Sequence, residues 1–350
     1  MTPKLLMLAV HLGETIEKRD LSAGPYAGLS LGGGVFTLVR LAQADLRGAD
    51  LRESVFDRCD LRGLMASGAN LRRAVFNRCL LDHADLREAN LHGAVFTECD
   101  MQHAQLAQAT MTMATLSKCR LDHANLRGAP LGSAVFTQSV LLDVCADDTQ
   151  WPYTTVNECD LSHLSWTGAQ MQRNVFFKTS LKGMSFAGLS LDGCQFSSTD
   201  LSGADFSGIV LQQCNFQGST LDGARFVKAV APSTIFCAAS GQGVDFSGAR
   251  LRQALFTGAS LPGARFAGCD LYQTHFAGAS LAGADFRDAE LTYADFRHAN
   301  LEAAEMRGAT MKRTVLHGAR TENAQMSDRA SAIESDPDLA AAERWQPLAA

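Results

Sequence analysis

Four histidines, His83, His103, His123 and His163, stand 20, 20 and 40 residues apart, each four positions after a cysteine. Imidazole and thiolate are ligands of zinc and nickel, so metal binding is the first chemistry this spacing suggests. Gly28-Leu29-Ser30-Leu31-Gly32 spells the G-x-S-x-G of a hydrolase nucleophile elbow. Ten cysteines raise the prospect of a disulfide framework. Each of these depends on the element that would hold the residues.

That element is set by a five-residue period. From Leu31 to Leu316 every fifth position falls in one column of 58 residues, and 51 of them are Leu, Phe or Met, with no slip of phase. A period of five fits neither a helix nor a simple strand and marks a repeat architecture. Two residues earlier runs a second column of Ala, Cys, Thr or Ser, with Asp or Asn between, as in Ala44-Asp45-Leu46, Ala69-Asn70-Leu71 and Ala294-Asp295-Phe296. This A-[D/N]-[L/F]-x-x pattern resembles the pentapeptide-repeat family over roughly residues 20 to 320. The resemblance implies an all-β solenoid, a right-handed quadrilateral β-helix with four pentapeptides per coil, about 14 coils here, and short terminal caps.

Chemistry also repeats at 20. Phe36, Phe56, Phe76, Phe96 and Phe136 share one side, continued from Phe176 to Phe296, and a second file runs from Phe186 to Phe286. Such files would stack aromatic area along one axis. Gly at the second position after the central residue, as at Gly48, Gly93 and Gly203, supplies the freedom a corner needs. The intervening Asp or Asn can bond to nearby backbone amides.

Read on this frame, the first chemistry weakens. Cys59, Cys79, Cys99, Cys119, Cys159, Cys194, Cys214 and Cys269 occupy the small inward column, so they are expected as free buried thiols of a reducing compartment. The four histidines then point outward, away from the thiols, and form no closed ligand set; they are expected as a solvated ladder, with no metal or cofactor. Ser30 lies in no strand–elbow–helix context. The sequence carries no phosphate loop, nucleotide fingerprint or carboxylate pair in a cleft, and the reading is that the chain is not an enzyme.

The expected organisation is a cap over residues 1–20, the β-helix over 21–326 and a tail or capping helix over 327–350. Two stretches weaken the pattern yet keep the phase: 141–160 loses the small column, and 231–244 carries Pro232, Gly241 and Gly243. Trp151 and Tyr153 in the first are candidates for a partner contact, core filling being the plainer reading. In the tail, Asp338 is expected to cap a short helix through Glu343, with Leu339 and Trp345 as anchors or as part of a docking or dimerising element.

Net charge is −6, from 31 basic and 37 acidic residues, with no basic stripe for direct nucleic-acid binding. No segment has the ~20 apolar residues that cross a bilayer, and no signal peptide is evident, so a cytoplasmic location is expected. The overall reading is a protein-interaction scaffold. The resemblance implies two narrower roles. Long pentapeptide proteins stand beside bacterial contractile (type VI) secretion systems, where secretion-tip or effector proteins would be partners. Others mimic B-form DNA, bind DNA gyrase, protect it from quinolones and dimerise through a terminus. The near balance of 11 Lys/Arg against 12 Asp/Glu between Leu181 and Gly318 disfavours mimicry.

Overall fold

The computed structural model describes residues 1–343. The chain divides into two compact units, Met1–Ser180 and Leu181–Ala350. Both are parallel β-solenoids, and together they make about 16 turns rather than about 14. At twenty residues per turn the expected span 21–326 already holds about 15 turns, and residues assigned above to a cap and a tail, from Thr15 and up to Ile333, extend the ladder at both ends.

In the first unit, helix α1 (Pro3–His11) is capped by Thr2, whose hydroxyl accepts from the Leu5 N–H, and has a proline at its start. It buries Leu6, Ala9 and Val10. Strand β1 (Thr15–Glu17) then pairs in parallel with Val35–Thr37, matching Ile16 to Phe36. Residues 15–20 therefore belong to the solenoid, since Ile16 already fills the inward column. Seven further three-residue strands follow in sequence order, to Val175–Phe177, giving a nine-stranded sheet. The other three faces of each turn pair through single residues, as in Asp20↔Arg40, Pro25↔Asp45 and Ser30↔Asp50. Four faces of five residues close one turn of twenty.

Each corner is fixed by backbone bonding. The residue two past the central one lies at positive φ and donates its N–H to the next turn, as Gly48 does to Ser67 O and Gln43 to Arg62 O. Glycine is not obligatory there: Gln43, Glu53 and His83 hold φ of 57° to 58°. A non-glycine residue in this region costs about 1 kcal/mol, which the ladder bond and core burial offset.

The second unit pairs almost entirely by single-residue bridges, from Ser185↔Asp205 to Val315↔Ile333. The residue before the central one contributes to the difference, although Ile235 and Val315 in the second unit also pair singly. It is Val or Thr from Val35 to Val175 in the first unit, whereas Gln195, Asn215, His275 and Asp295 stand there in the second. β-Branched side chains favour the longer strand.

The core of the second unit is an aromatic lattice. Phe206, Phe226, Phe246 and Phe266 stack at 4.8 to 4.9 Å. The facing file, with Phe216, Phe236, Phe256 and Phe276, does so at 4.7 to 4.9 Å. The files meet edge to face at 5.4 to 5.7 Å through the middle of the turn. This edge-to-face geometry suits the ring quadrupoles.

Both irregular stretches keep the ladder. Near 141–160, Trp151 replaces a Leu of its file and is fully buried, while Ala146 and Val156 in the same turn are small. Volume is redistributed within the turn, which preserves packing density. The ladder runs through this turn, where Cys145↔Ser165 and Gln150↔Gln170 pair in register. Near 231–244, a Cβ on Gly241 would meet Leu221 C at 2.7 Å, so the backbone there fills space normally taken by a side chain.

Beyond Met326 the chain forms a 3-10 turn (Arg329–Ser331), pairs Ile333 with Val315, and enters α2 (Pro337–Glu343). The helix starts two residues earlier than expected. Asp336, not Asp338, caps it, its Oδ1 accepting from the N–H of Asp338 at 2.9 Å and of Leu339 at 3.1 Å. Pro337 at the first helical position explains the shift.

Phe246 touches four rings, so Phe246→Ala should lower unfolding free energy by about 3–5 kcal/mol, measured by urea denaturation. A loss below 1 kcal/mol would contradict the lattice.

Candidate functional site

With the interior occupied by stacked side chains, the chemistry available to a ligand is on the outward files. Their commonest device is Asp-x-Arg. Asp45, at the face centre, accepts from the Arg47 N–H at 3.2 Å and receives the same residue's guanidinium at 2.9 and 2.8 Å. Asp50–Arg52, Asp60–Arg62, Asp85–Arg87, Asp285–Arg287 and Asp295–Arg297 repeat the arrangement. The Arg47 hydrogen bonds hold the Asp45 carboxyl down to about 2. The Asx turn was expected from the sequence; its chelation by the arginine two residues on was missed, although the recurring D-x-R spacing could have shown it. These pairs neutralise charge locally and are exposed, so each adds little stability.

The histidine ladder forms in part. His83, His103 and His123 stack with ring centroids 4.6 and 5.0 Å apart. His163 is separated from them by the turn of Asp143, whose carboxylate lies 3.7 Å from His123 Nδ1. Parallel rings on successive turns present their nitrogens side by side rather than converging on a point.

Trp151 cannot contact a partner: it is buried, and its indole N–H donates to Thr149 Oγ1 at 2.6 Å. Its role is core filling. Tyr153 is 55% exposed on the same turn. Leu339 is exposed on α2, and Trp345 lies outside the described residues.

A cluster that the sequence did not suggest gathers His298, His317 and Glu343, whose ligating atoms lie within 4.8 Å of one another. Hydrogen bonding decides its chemistry. The Asp336 N–H donates to His317 Nδ1 at 3.1 Å, which leaves the proton on Nε2, facing Glu343 Oε2 at 3.2 Å. A metal on Nε2 would need the opposite tautomer. The cluster instead pins α2, and the His317 hydrogen bond draws the Glu343 carboxyl below the usual range.

A groove of about 630 Å³ lies in the first unit, where α1 meets the early turns. It is lined by Met7, Leu8 and Val10 of the helix, by Gly32 and Gly33, and by Asp50, Arg52, Glu53 and Arg72. Arg52 is chelated by Asp50, but Asn70 stands where Arg72 would need an aspartate. Asn70 accepts only the Arg72 backbone N–H, at 3.4 Å, and the guanidinium has no ion-pair partner among the described residues.

Family models for the pentapeptide repeat region match residues 49–126 and 189–266, and the pentapeptide repeats model matches 269–308 and 294–328. Together they cover more than half of the chain. The chain belongs to the pentapeptide-repeat family.

Solved structures similar to it include HetL, a pentapeptide repeat protein involved in heterocyst differentiation regulation from the cyanobacterium Nostoc sp. strain PCC 7120. That match has 22% identity and a TM-score of 0.24, and covers 96% of this chain and 98% of that one. Full-length QnrB1, a plasmid-mediated fluoroquinolone resistance protein, matches at 15% identity and TM-score 0.26, over 62% of this chain and 93% of that one. A pentapeptide repeat protein of the Arabidopsis thaliana thylakoid lumen is 32% identical over 39% of this chain and 73% of that one, with a TM-score of 0.25. No curated protein matches the chain. Among the described residues no helix is long and apolar enough to cross a membrane.

All ten cysteines are free; eight are buried, and Cys145 and Cys237 are partly exposed. Burial pushes the Cys159 thiol up to about 11 and Cys269 to about 12. A thiol reagent at pH 8 should therefore modify Cys145 and Cys237 rapidly and the eight buried thiols only after unfolding. Rapid uptake at the buried column, read by mass spectrometry, would contradict the closed core.

Proposed function

We propose that this pentapeptide-repeat protein is a non-catalytic interaction scaffold whose outward files bind other proteins. One observation carries the reading. Inward positions are filled by the same few apolar types turn after turn, while an outward file changes character within a few turns. The file Gly32, Arg52, Arg72, His92, Thr112 runs from small to cationic to neutral within five turns. Such variation on a rigid frame displays distinct surfaces without altering the core.

The narrower form of this reading is an adaptor at a bacterial contractile (type VI) secretion system, binding secretion-tip or effector proteins from the cytoplasm. Its support is the layout of a long, uninterrupted repeat array. The alternative, a DNA mimic acting on DNA gyrase, has less support because a mimic needs an uncompensated anionic wall. Here arginines chelate the acidic files, as at Asp285–Arg287 and Asp295–Arg297.

Affinity capture of the tagged protein from its native cells tests the scaffold reading, followed by reconstitution of each captured protein in purified form. Direct, saturable binding of a secretion-tip or effector protein is the expected result. A gyrase supercoiling assay discriminates the alternative: no inhibition and no protection from a quinolone at micromolar protein is expected. Retention of gyrase with inhibition would replace the adaptor by the mimic.

A further inference from the structure

Helix α1 is apolar on both sides. Leu6, Ala9 and Val10 pack inward, whereas Leu5, Leu8 and Leu12 are 53%, 52% and 65% exposed. The spacing 5, 8, 12 aligns these three on one stripe. An amphipathic helix ordinarily turns its second face to solvent with charged residues; this one carries only Lys4 at its start and His11 at its end. The stripe leads into the groove described above, because Leu8 belongs to both. Across the groove stands Arg72, the guanidinium left unpaired where Asn70 replaces the usual aspartate.

Apolar surface and an uncompensated cation thus lie side by side. We propose that this face docks a segment of another protein that presents a row of apolar side chains with a carboxylate set to meet Arg72. This deepens the scaffold reading and rests on it. Two glycines help to open the groove: Gly32 withholds a side chain on the file of Arg52 and Arg72, and Gly33 on the file of Glu53 and Arg73. The nearby acids do not cancel the site. Asp50 and Glu53 both line the groove, but Asp50 is engaged bidentately by Arg52 and Glu53 lies 3.8 Å from Arg73, so each faces an arginine other than Arg72. A carboxylate supplied by a partner would make the charge-assisted fork that every neighbouring Asp-x-Arg pair already makes within the chain. A second copy is less complementary, since two-fold pairing of α1 would bring Lys4 and Arg72 of both copies to one interface.

The mode is that of a helix or extended peptide laid into a groove, where apolar anchors provide affinity and the ion pair fixes register. The stripe offers three leucines, so its affinity for an isolated peptide should be moderate.

The test uses the full-length protein and three synthetic 16-residue amphipathic peptides with an identical leucine stripe, flanked by Glu, Gln or Lys. Fluorescence anisotropy should rank Glu tightest, with Gln about tenfold weaker. Arg72→Glu should reverse the order of the Glu and Lys peptides, and Leu8→Ser with Leu12→Ser should weaken all three; circular dichroism checks that each variant stays folded. Equal affinity for the three peptides, or an order unchanged by Arg72→Glu, would overturn the proposal. So would a concentration-dependent dimer abolished by the serine pair, which would assign the stripe to a second copy. Binding to anionic phospholipid vesicles with no peptide preference would assign it to a membrane surface and equally defeat it. If captured partners persist on the serine variant, the scaffold reading stands and only this face fails.

Discussion

Each turn of this protein gives its backbone hydrogen bonds to the turn twenty residues on, and almost everything else follows from that transfer. Leu46 N–H meets Met65 O, Gly48 N–H meets Ser67 O, and Asp50 N–H reaches back to Leu29 O. Because the partner is a fixed number of residues away, equivalent positions stack on one another. In the second unit phenylalanine follows phenylalanine in two files, and the aromatic lattice there is the side-chain image of a backbone rule. A single inserted residue would move every later inward side chain out of its column, which is why the phase holds through Trp151 and Gly241 although their chemistry does not.

The same rule explains where freedom remains. Inward positions must satisfy volume, and corners must accept positive φ, so neither has much choice. The outward files have few such demands, and charge there is arranged locally by Asp-x-Arg chelation. The groove at α1 arises where three local exceptions coincide: a helix apolar all round, a pair of glycines in its lining, and an asparagine in place of an aspartate. None of these disturbs the ladder. A surface specialised in this way can change its partner while the frame is untouched, as expected of a scaffold.

Much of the fold was legible in the sequence because a period of five sustained over dozens of copies has one structural solution. The limits of the solenoid were less legible. Ile16 and Ile333 are neither Leu nor Phe, and their membership is decided by pairing with Phe36's strand and by the hydrogen bonds of Ile333 with Thr314 and Leu316 rather than by residue type. Trp151 was ambiguous because a large aromatic in a degraded repeat fits either a surface patch or a core; the compensating Ala146 and Val156 settle it only once the turn is seen to close. The histidine ladder could be read, since it needs only the twenty-residue spacing. The α1 groove could not, because it joins Leu8 to Arg72 across sixty-four residues with no repeat to connect them, and the Glu343 cluster depends on where α2 comes to rest.

Deleting one whole turn tests the governing rule most directly. Removal of residues 206–225 joins Asp205 to Phe226, which occupies the same column as the lost Phe206, whereas removal of 206–223 leaves the chain two residues out of step. Compared by circular dichroism and thermal unfolding, the twenty-residue deletion should keep the strand signal per residue and cooperative melting, with a midpoint within a few degrees of the parent. The eighteen-residue deletion should lose both or melt far lower. Equal behaviour of the two proteins would show that turn-to-turn register does not hold this structure together.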